Sequence, residues 1–322
     1  MRTRWLLAAA AATTLLHPDR AVAQAHMNPV VDLLAAKKPV FGLYAPANRR
    51  TRPGQPGLPP DSVKSAAQLA ADAVAYKLGD YVFDGSMEGN FDAALPGFAD
   101  FAKGMQSAGM LQGKRFTHPV FVKTPEIAPD VAKAGSRIAA QLNLGVTGVV
   151  FVGVESAKEV QQGLAAMRFA SQGGTRPDAV GDAAARWGLS EKDYKEKADV
   201  WPLNPKGELV NFTIVESKEG LAHIREIAAV KGIGVLFPGA GTLRGVFTTT
   251  DANGQRTFDE KGWEGAIQQV LAACKEFNVP CGYPAGAADI EMRMQQGFSV
   301  FVIGWGEPGF KAVEIGRKVG KR

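Results

Sequence analysis

The sequence predicts an α/β fold of the (β/α)8 type, a TIM barrel built as a single domain. Eight short apolar runs alternate with amphipathic stretches along the chain. Several of these runs are apolar at every position, which is typical of strands that are buried on both faces. The alternative is an open doubly wound sheet, which usually has fewer strands. Its Gly-x-Gly-x-x-Gly fingerprint does not follow the first run, so the barrel is favoured.

Each apolar run is predicted as one strand. The strands are expected at residues 40–44, 81–83, 120–122, 149–154, 212–215, 235–237, 279–282 and 300–303. Apolar side chains at helical spacing predict helices at residues 62–77, 91–107, 129–142, 157–169, 218–229, 263–277, 287–296 and 310–319. Two segments do not fit the repeat, a Pro/Gly-rich loop at 48–60 and a connection at 173–206. Long loops at the active face of a barrel usually cover or line the site.

Composition and charge exclude several classes of protein. The chain has 322 residues, of which 46% are hydrophobic and 21% are charged, close to the average of soluble globular proteins. This excludes a disordered chain, a collagen-like fibre and a polytopic membrane protein. Residues 1–25 contribute +2 to the net charge of +5. The remainder is too small to indicate a nucleic-acid partner, and Lys and Arg are not clustered.

The amino terminus has the pattern of a secretory signal peptide. Arg2 and Arg4 precede an uncharged run at 5–16, and small residues follow in an Ala-x-Ala pattern at 21–25. The apolar run is too short to span a bilayer. We therefore predict a signal peptide at residues 1–25 and a barrel at 26–322. After cleavage the protein is expected to be free of the membrane, in a periplasm or outside the cell.

Predicted export bears on whether the two cysteines form a disulfide. Cys274 and Cys281 lie seven residues apart, and a disulfide is possible in an oxidising compartment. Cys274 is expected on a helix and Cys281 on the following buried strand. That geometry is poor for a bridge, so the sequence favours two buried free thiols.

Four charged residues follow predicted strands, at the end of the barrel where such enzymes keep their chemistry. Asp84 follows the second strand and Lys123 the third. Glu155 and Glu216 end the fourth and fifth strands in matching Val-Glu-Ser sequences. Glu216 is the strongest candidate for a metal-binding or acid–base group. Asp84 could instead bond the turn backbone, Lys123 could be a solvated charge, and Glu155 could hold a neighbouring loop.

A turn after the sixth strand is the candidate substrate-binding segment. Gly239, Ala240, Gly241 and Thr242 lead into a helix, and backbone N–H groups there suit an anion. Arg176 lies in the long connection and is expected to fold over the mouth. The four histidines are not placed for metal binding or for general-base catalysis.

These segments resemble the HpcH/HpaI aldolase/citrate lyase family of phosphoenolpyruvate/pyruvate-domain barrels. The resemblance runs from about residue 31 to the carboxyl terminus and is most specific at 81–90, 148–167, 213–225, 234–243 and 297–304. It implies a barrel that assembles as a homo-oligomer, a hexamer or a trimer. It also implies that a carbon–carbon bond is cleaved or formed next to a pyruvate-like or acyl-CoA carbonyl, with Mg or Mn holding the enolate.

The family's site residues are matched only in part. Glu216 matches the metal-binding Glu after the fifth strand, but the second ligand, an Asp after the sixth strand, is missing. Met87 stands where the aldolases have their catalytic His, and Lys123 stands where they have an Arg. The resemblance therefore leaves Glu88 and Asp84 as the nearest catalytic carboxylates, and Glu155 as a second metal oxygen. Lys123 keeps a cation that can act in catalysis or substrate binding, without the fork of an Arg.

The prediction from the sequence is an exported carbon–carbon lyase. Export argues against an acyl-CoA substrate and favours a small oxo-acid or hydroxy-ketone, with assistance from a divalent metal. One alternative is a non-catalytic barrel that binds a small molecule. Another is an enzyme of changed reaction type on the same scaffold, because three positions of the aldolase chemistry are altered.

Overall fold

A computed structural model describes residues 25–48, 59 and 62–322. Almost all of the predicted signal peptide, and most of the loop predicted at 48–60, lie outside the described residues. Eight parallel strands, named β1 to β8 in chain order, form the barrel. They are β1 Val40–Tyr44, β2 Tyr81–Asp84, β3 Val120–Thr124, β4 Gly148–Phe151, β5 Leu209–Val215, β6 Val235–Pro238, β7 Gly282–Pro284 and β8 Val300–Ile303.

The strand order confirms the predicted barrel. Each strand pairs in parallel with the next one along the chain from β1 to β6, and β7 pairs with β8, which pairs with β1. A parallel bridge between Leu236 and Cys281 joins β6 to β7 and closes the ring. In a closed parallel barrel all carboxyl ends of the strands meet at one mouth.

Helices surround the barrel, and the first of them, Pro29–Ala35, packs Val30, Val31 and Leu34 against the cluster inside it. They are Pro29–Ala35, Ala66–Ala75, Phe91–Ser107, Val131–Asn143, Ala157–Met167, Ala183–Arg186, Glu191–Lys197, Lys218–Ala222, Ile224–Ala228, Ala240–Val246, Glu260–Phe277, Ile290–Gln296 and Glu307–Val319. Side chains cap several of them. Ser65 and Gln68 form a capping box, and Ser156 accepts a hydrogen bond from the N–H of Glu159. No described helix combines the length and the apolar character that a membrane span requires.

Several connections between the barrel strands and helices contain short strands of their own. Two antiparallel ribbons pair Leu111–Gln112 with Arg115–Phe116 and Thr248–Thr250 with Arg256–Phe258. Val200–Trp201 pairs in parallel with the beginning of β5, at the amino-terminal end of the barrel. The long connection predicted at 173–206 therefore reaches the barrel at the end opposite the mouth.

Aromatic side chains fill the inside of the barrel. Tyr81, Phe121 and Phe212 contact one another, with ring centroids 4.7–5.6 Å apart, and Phe212 also contacts Phe237. Gly42 makes room for this packing, because a Cβ atom there would lie 2.0 Å from the Tyr81 ring. These rings pack the middle of the barrel interior.

The prediction of free thiols is wrong, because Cys274 and Cys281 form a disulfide. Helix Glu260–Phe277 ends at Asn278, which has a left-handed backbone (φ 53°), so the chain reverses there. The N–H of Val279 then bonds the carbonyl of Cys274 at 2.9 Å. The reversal brings the two Cα atoms to 5.6 Å, a separation usual for disulfides.

Candidate active site

A pocket of about 190 Å³ opens at the carboxyl ends of the strands. Its floor is apolar and includes Phe83, Phe212 and Phe237. The charged groups that line it are Lys123 and Glu216. A small apolar cavity with a few converging polar groups is the usual form of a ligand site, and this end of a barrel is where active sites occur.

A larger cavity, of about 950 Å³, lies at the amino-terminal end of the barrel. Lys37, Lys38, Lys231 and Lys275 line it together with apolar residues. The described lining of this cavity contains no carboxylate and no histidine. The smaller pocket is the candidate site, because its lining combines an acidic and a basic group at the strand ends.

Glu216 follows the last residue of β5 and is held on two sides. Its Oε1 accepts the backbone N–H of Gly153 at 3.0 Å. On the other side lies Gly239, whose N–H bonds the carbonyl of Val215 at 2.8 Å. A Cβ atom at position 239 would lie 2.4 Å from Cβ and 2.5 Å from Oε2 of Glu216. The carboxylate is therefore fixed in the pocket by its neighbours.

Lys123 is the penultimate residue of β3, and its ammonium group contacts Glu88. The Nζ atom lies 2.9 Å from both carboxylate oxygens of Glu88. The Lys123 side chain is 15% exposed and that of Glu88 is 38% exposed. The backbone of Lys123 is anchored separately, since its carbonyl accepts a hydrogen bond from the buried side chain of Gln141 at 2.8 Å.

The sequence analysis missed Tyr44, which lines the same pocket from the end of β1. Its ring meets Phe83 edge-on with centroids 5.0 Å apart. Burial raises the pKa of the Tyr44 hydroxyl, Glu88 raises it further and Lys123 lowers it, with a net upward shift. The phenol therefore stays protonated at neutral pH and can donate a hydrogen bond. Tyr44 could have been found by its strand-end position, which it shares with Lys123 and Glu216.

The residues of the turn after β2 have different contacts. The Asp84 carboxylate accepts hydrogen bonds from the N–H and the hydroxyl of Ser86 at 2.9 and 2.5 Å, which matches the turn-stabilising alternative. Met87, at the position of the family's His, is fully buried in the core. Only Glu88 extends from this turn to a pocket residue, through its contact with Lys123.

The other predicted residues divide between the pocket and the outside. Gly239, Ala240, Gly241 and Thr242 line the pocket, in the turn and first residues of helix Ala240–Val246. Glu155 is exposed and does not belong to the lining. Its N–H bonds the carboxylate of Glu159, and its carbonyl accepts a hydrogen bond from the His223 ring.

Arg176 does not fold over the mouth, and that prediction is corrected by its contacts. The side chain is 1% exposed and donates to Asn143 and Tyr194 at 2.9 and 3.2 Å. Its guanidinium also lies 4.2 Å from the centroid of the Phe169 ring. Asn143 ends the helix that follows β3, so these contacts hold the long connection against the amino-terminal half of the barrel. The length of the connection at 173–206 had predicted that it covers the site. Its packing is instead fixed by the contacts of Arg176 with the buried rings of Phe169 and Tyr194.

The described residues supply only part of the ligand set that a divalent cation needs. Glu216 is the one carboxylate in the described lining, and one of its oxygens already accepts the Gly153 N–H. Lys123 also lines the pocket, with its ammonium group paired to Glu88. Among the described residues, no group of three or more His, Cys, Asp or Glu side chains converges as metal ligands do. Mg²⁺ needs several oxygen ligands, of which protein carboxylates usually supply one or two while water and substrate supply the rest. The metal implied by the resemblance therefore stays a prediction from the family.

Similar proteins share the fold and part of the sequence. A curated relative, 2-dehydro-3,6-dideoxy-6-sulfogluconate aldolase of Pseudomonas putida, is 27% identical over 160 residues. That match covers 49% of this chain and 57% of the relative, so the chain spans little more than half of the relative's length. The fold is shared with solved structures, of which two are described. An HpcH/HpaI aldolase/citrate lyase family protein from Burkholderia cenocepacia J2315 has a TM-score of 0.63 at 20% identity, covering 86% of this chain and 92% of its own. An HpcH/HpaI aldolase from Desulfitobacterium hafniense DCB-2 has a TM-score of 0.59 at 16% identity, covering 90% and 95%.

Family membership follows from the length of the sequence match. The sequence profile of the HpcH/HpaI aldolase/citrate lyase family matches residues 110–302, which is more than half of the chain. The matched region contains Lys123, Glu216 and the turn at 239–242, and so it covers most of the pocket. Together with the barrel and its strand-end site, this match shows that the chain belongs to the HpcH/HpaI aldolase/citrate lyase family.

Proposed function

We propose that this protein is a carbon–carbon lyase that cleaves a small hydroxy-oxo compound by a retro-aldol reaction. Family membership supports a lyase-type function. The observation that carries the proposal is the pocket in which Glu216 and Lys123 line one apolar cavity at the barrel mouth. A carboxylate and an ammonium group over an apolar floor are the two kinds of group that aldol cleavage needs.

The proposed reaction assigns one task to each group. In a 4-hydroxy-2-oxo acid, Glu216 takes the proton from the C4 hydroxyl as the C3–C4 bond breaks. The bonding electrons move towards the C2 carbonyl, and Lys123 is the cation positioned to balance the charge that develops there. The protonated Tyr44 hydroxyl lines the same cavity and can donate a hydrogen bond to an oxygen of the substrate.

The size of the pocket supports a small substrate. Its volume of about 190 Å³ is below the roughly 300–1,000 Å³ of pockets that hold drug-sized ligands. A short oxo-acid or hydroxy-ketone suits such a cavity better than an acyl-CoA. The hexamer or trimer implied by the family resemblance belongs to the same proposal, and light scattering on the purified protein measures it.

A pyruvate-release assay tests the lyase proposal. We expect purified protein to release pyruvate from at least one member of a panel of 4-hydroxy-2-oxo acids. Turnover should be slower than in ordinary aldolases, because Met87 cannot move a proton where the family has its His. Tight binding of a small oxo-acid without cleavage of any panel member would instead favour the non-catalytic binding barrel.

Export belongs to the same proposal. The Cys274–Cys281 disulfide supports it, because such bonds persist mainly in oxidising compartments. We expect mass spectrometry of protein from the native host to show a chain that begins near Gln24 or His26, with both cysteines unreactive towards thiol reagents. An intact Met1 on protein with two reactive thiols would contradict export.

A further inference from the structure

We propose that the cavity at the amino-terminal end of the barrel is a second binding site, whose ligand is a small amphipathic phosphate, an apolar body that carries a phosphate monoester. The cavity lies at the end of the strands opposite the mouth, and its described lining shares no residue with that of the mouth pocket. Its volume of about 950 Å³ lies within the roughly 300–1,000 Å³ of pockets that hold small organic ligands. The site is therefore separate from the proposed lyase site and large enough for a ligand of its own.

The lining of this cavity is positively charged. Its described part contains no carboxylate and four lysines, Lys37, Lys38, Lys231 and Lys275. Lys37 donates from Nζ to Oδ1 of Asn278 at 3.0 Å, and Lys275 donates from Nζ to the carbonyl of Gln296 at 2.8 Å. Both acceptors are neutral, so these contacts do not compensate the positive charge. Several ammonium groups favour an anion with more than one negative charge, and a phosphate monoester carries about −1.5 to −2 near neutral pH.

Apolar side chains form most of the remaining lining. Trp201 and Leu203 come from the connection at 173–206, and Phe277 is the last residue of helix Glu260–Phe277. Leu203 is 42% exposed and the two rings are partly exposed, so the cavity presents apolar surface to water. Covering that surface with the apolar body of a ligand adds to the binding free energy. Inorganic phosphate has no such body, so the lining favours an amphipathic anion.

The Cys274–Cys281 disulfide holds one wall of the cavity in place. It closes a loop of residues 274–281, and nearly all residues of this loop line the cavity. One end of the loop belongs to helix Glu260–Phe277, and at the other end Cys281 is bridged to Leu236 in β6. The bond therefore fixes the helix end and the barrel strand relative to each other. We expect the shape of this wall, and the affinity of the site, to depend on the oxidised state of the two cysteines.

Two residues with a left-handed backbone conformation meet at this wall. Lys37 and Asn278 have φ of 52° and 53°, and the described chain has one other non-glycine residue with a positive φ. Their side chains form the 3.0 Å hydrogen bond that joins the end of helix Pro29–Ala35 to the disulfide-closed loop. A left-handed lysine costs free energy, and such residues are concentrated at functional sites. Both residues line the same cavity, which supports binding as the role of this wall.

Isothermal titration calorimetry with three probes tests the proposal. 1-Naphthyl phosphate has an apolar body and a phosphate, 1-naphthol has the body alone, and inorganic phosphate has the charge alone. We expect the mature, oxidised protein to bind 1-naphthyl phosphate at one site per chain, at least about tenfold more tightly than either other probe, because it alone uses both parts of the lining. An excess of pyruvate should leave this affinity unchanged, because the mouth pocket is a separate site.

Lysine labelling locates the bound probe. The protein is acetylated with sulfo-NHS-acetate with and without 1-naphthyl phosphate, and the labelled peptides are quantified by mass spectrometry. We expect the probe to protect Lys38 and Lys231, which are exposed in the described structure and line the cavity. Lys103, exposed on helix Phe91–Ser107 and outside the lining, should be labelled equally in both samples.

Matched variants separate the charged from the apolar contribution. Lys38→Gln and Lys231→Gln remove one charge each and should weaken binding of 1-naphthyl phosphate by about three- to tenfold, whereas Lys103→Gln should leave it unchanged. Leu203→Ala removes apolar surface and should weaken binding on the same scale. Met292→Ala is its control, because Met292 is equally exposed, at 42%, and does not belong to the described lining.

The disulfide supplies a further test. Replacement of Cys274 and Cys281 together by alanine should weaken binding of 1-naphthyl phosphate by about tenfold, since the wall they hold is then free to move. Melting temperatures identify any variant that fails to fold, and unchanged affinity in a folded protein without the disulfide would overturn the role of that bond in the site.

Three outcomes would overturn the binding site itself. Equal affinity for 1-naphthyl phosphate and 1-naphthol would show that the lysines do not recognise a charge. Protection of Lys123 together with displacement by pyruvate would place the probe in the mouth pocket. Loss of stability in Lys38→Gln and Lys231→Gln, without binding of 1-naphthyl phosphate to the parent protein, would assign these lysines to the stabilisation of helix ends. None of these outcomes bears on pyruvate release at the mouth, so the lyase proposal is tested independently.

Discussion

Replacement of Glu216 by glutamine is expected to lower kcat/KM for aldol cleavage by about 10²–10³-fold, the effect of removing a general base. The exchange removes the charge and nearly preserves the shape. A glutamine amide oxygen can still accept the Gly153 N–H that Oε1 accepts at 3.0 Å. We therefore expect the melting temperature to stay the same or to rise, since a functional carboxylate is often a cost to stability. Steady-state kinetics and thermal unfolding measure the two effects.

Glu155→Gln is the matched control for this prediction. Glu155 stands in the same Val-Glu-Ser sequence at the end of the preceding strand, but its side chain is exposed and outside the pocket. We expect kcat/KM to be unchanged in this variant. A large loss of stability in Glu216→Gln with little change in kcat/KM would mark Glu216 as structural. A comparable loss of activity in Glu155→Gln would show that Glu155 takes part in the reaction.

Replacement of Gly239 by alanine is expected to impair both stability and activity. The added Cβ would lie 2.4 Å from Cβ of Glu216 and 3.0 Å from Cγ2 of Ile214. The contact is with the base of the Glu216 side chain, which cannot rotate away, so the backbone or the carboxylate must shift. Overpacking of this kind costs about 1–3 kcal/mol of the free energy of unfolding. Displacement of the carboxylate should lower kcat/KM by about 10²-fold, because small misplacements near reacting atoms act on that scale.

Gly245→Ala is the control for the backbone effect of this exchange. Gly245 lies in the same helix, Ala240–Val246, and a Cβ atom there would meet no other atom within 4 Å. Alanine has the higher helix propensity, so this variant should be as stable as the parent or slightly more stable. Equal kinetics and equal melting temperatures for Gly239→Ala and the parent would show that the pocket wall tolerates a side chain at position 239.

The barrel, the strand-end residues Lys123 and Glu216 and the turn at 239–242 were predictable because a (β/α)8 fold repeats one local unit. Strand-end positions of the repeat meet at one mouth whatever the details of packing, so Lys123 and Glu216 could be placed from the chain alone. Tyr44 occupies the equivalent position after β1 and was missed because the search favoured charged residues. Glu155 satisfied the same local rule, yet its side chain remains outside the pocket.

Other features depend on contacts between segments that are distant in the chain. Arg176 is held by Asn143, 33 residues away, and nothing near position 176 indicates that partner. The disulfide depends on the chain reversal at Asn278. Sequence patterns locate the end of a helix only to within one or two residues, so they do not predict this reversal. The contact between Lys123 and Glu88 also spans 35 residues and required the barrel to bring two strand ends together.

The sequence by itself determined the barrel, the end of it that carries polar groups, the family and the altered aldolase positions, because these depend on local periodicity and on residue identity. The tertiary structure decided which of the strand-end groups share a cavity, that Glu216 is the one carboxylate in its described lining, and that Lys123 contacts Glu88. The physical reason is that backbone hydrogen bonding sets the repeat locally, whereas the depth and direction of a side chain depend on packing against residues far away in the chain. Chemistry at the mouth depends on that packing, within distances of about 3 Å.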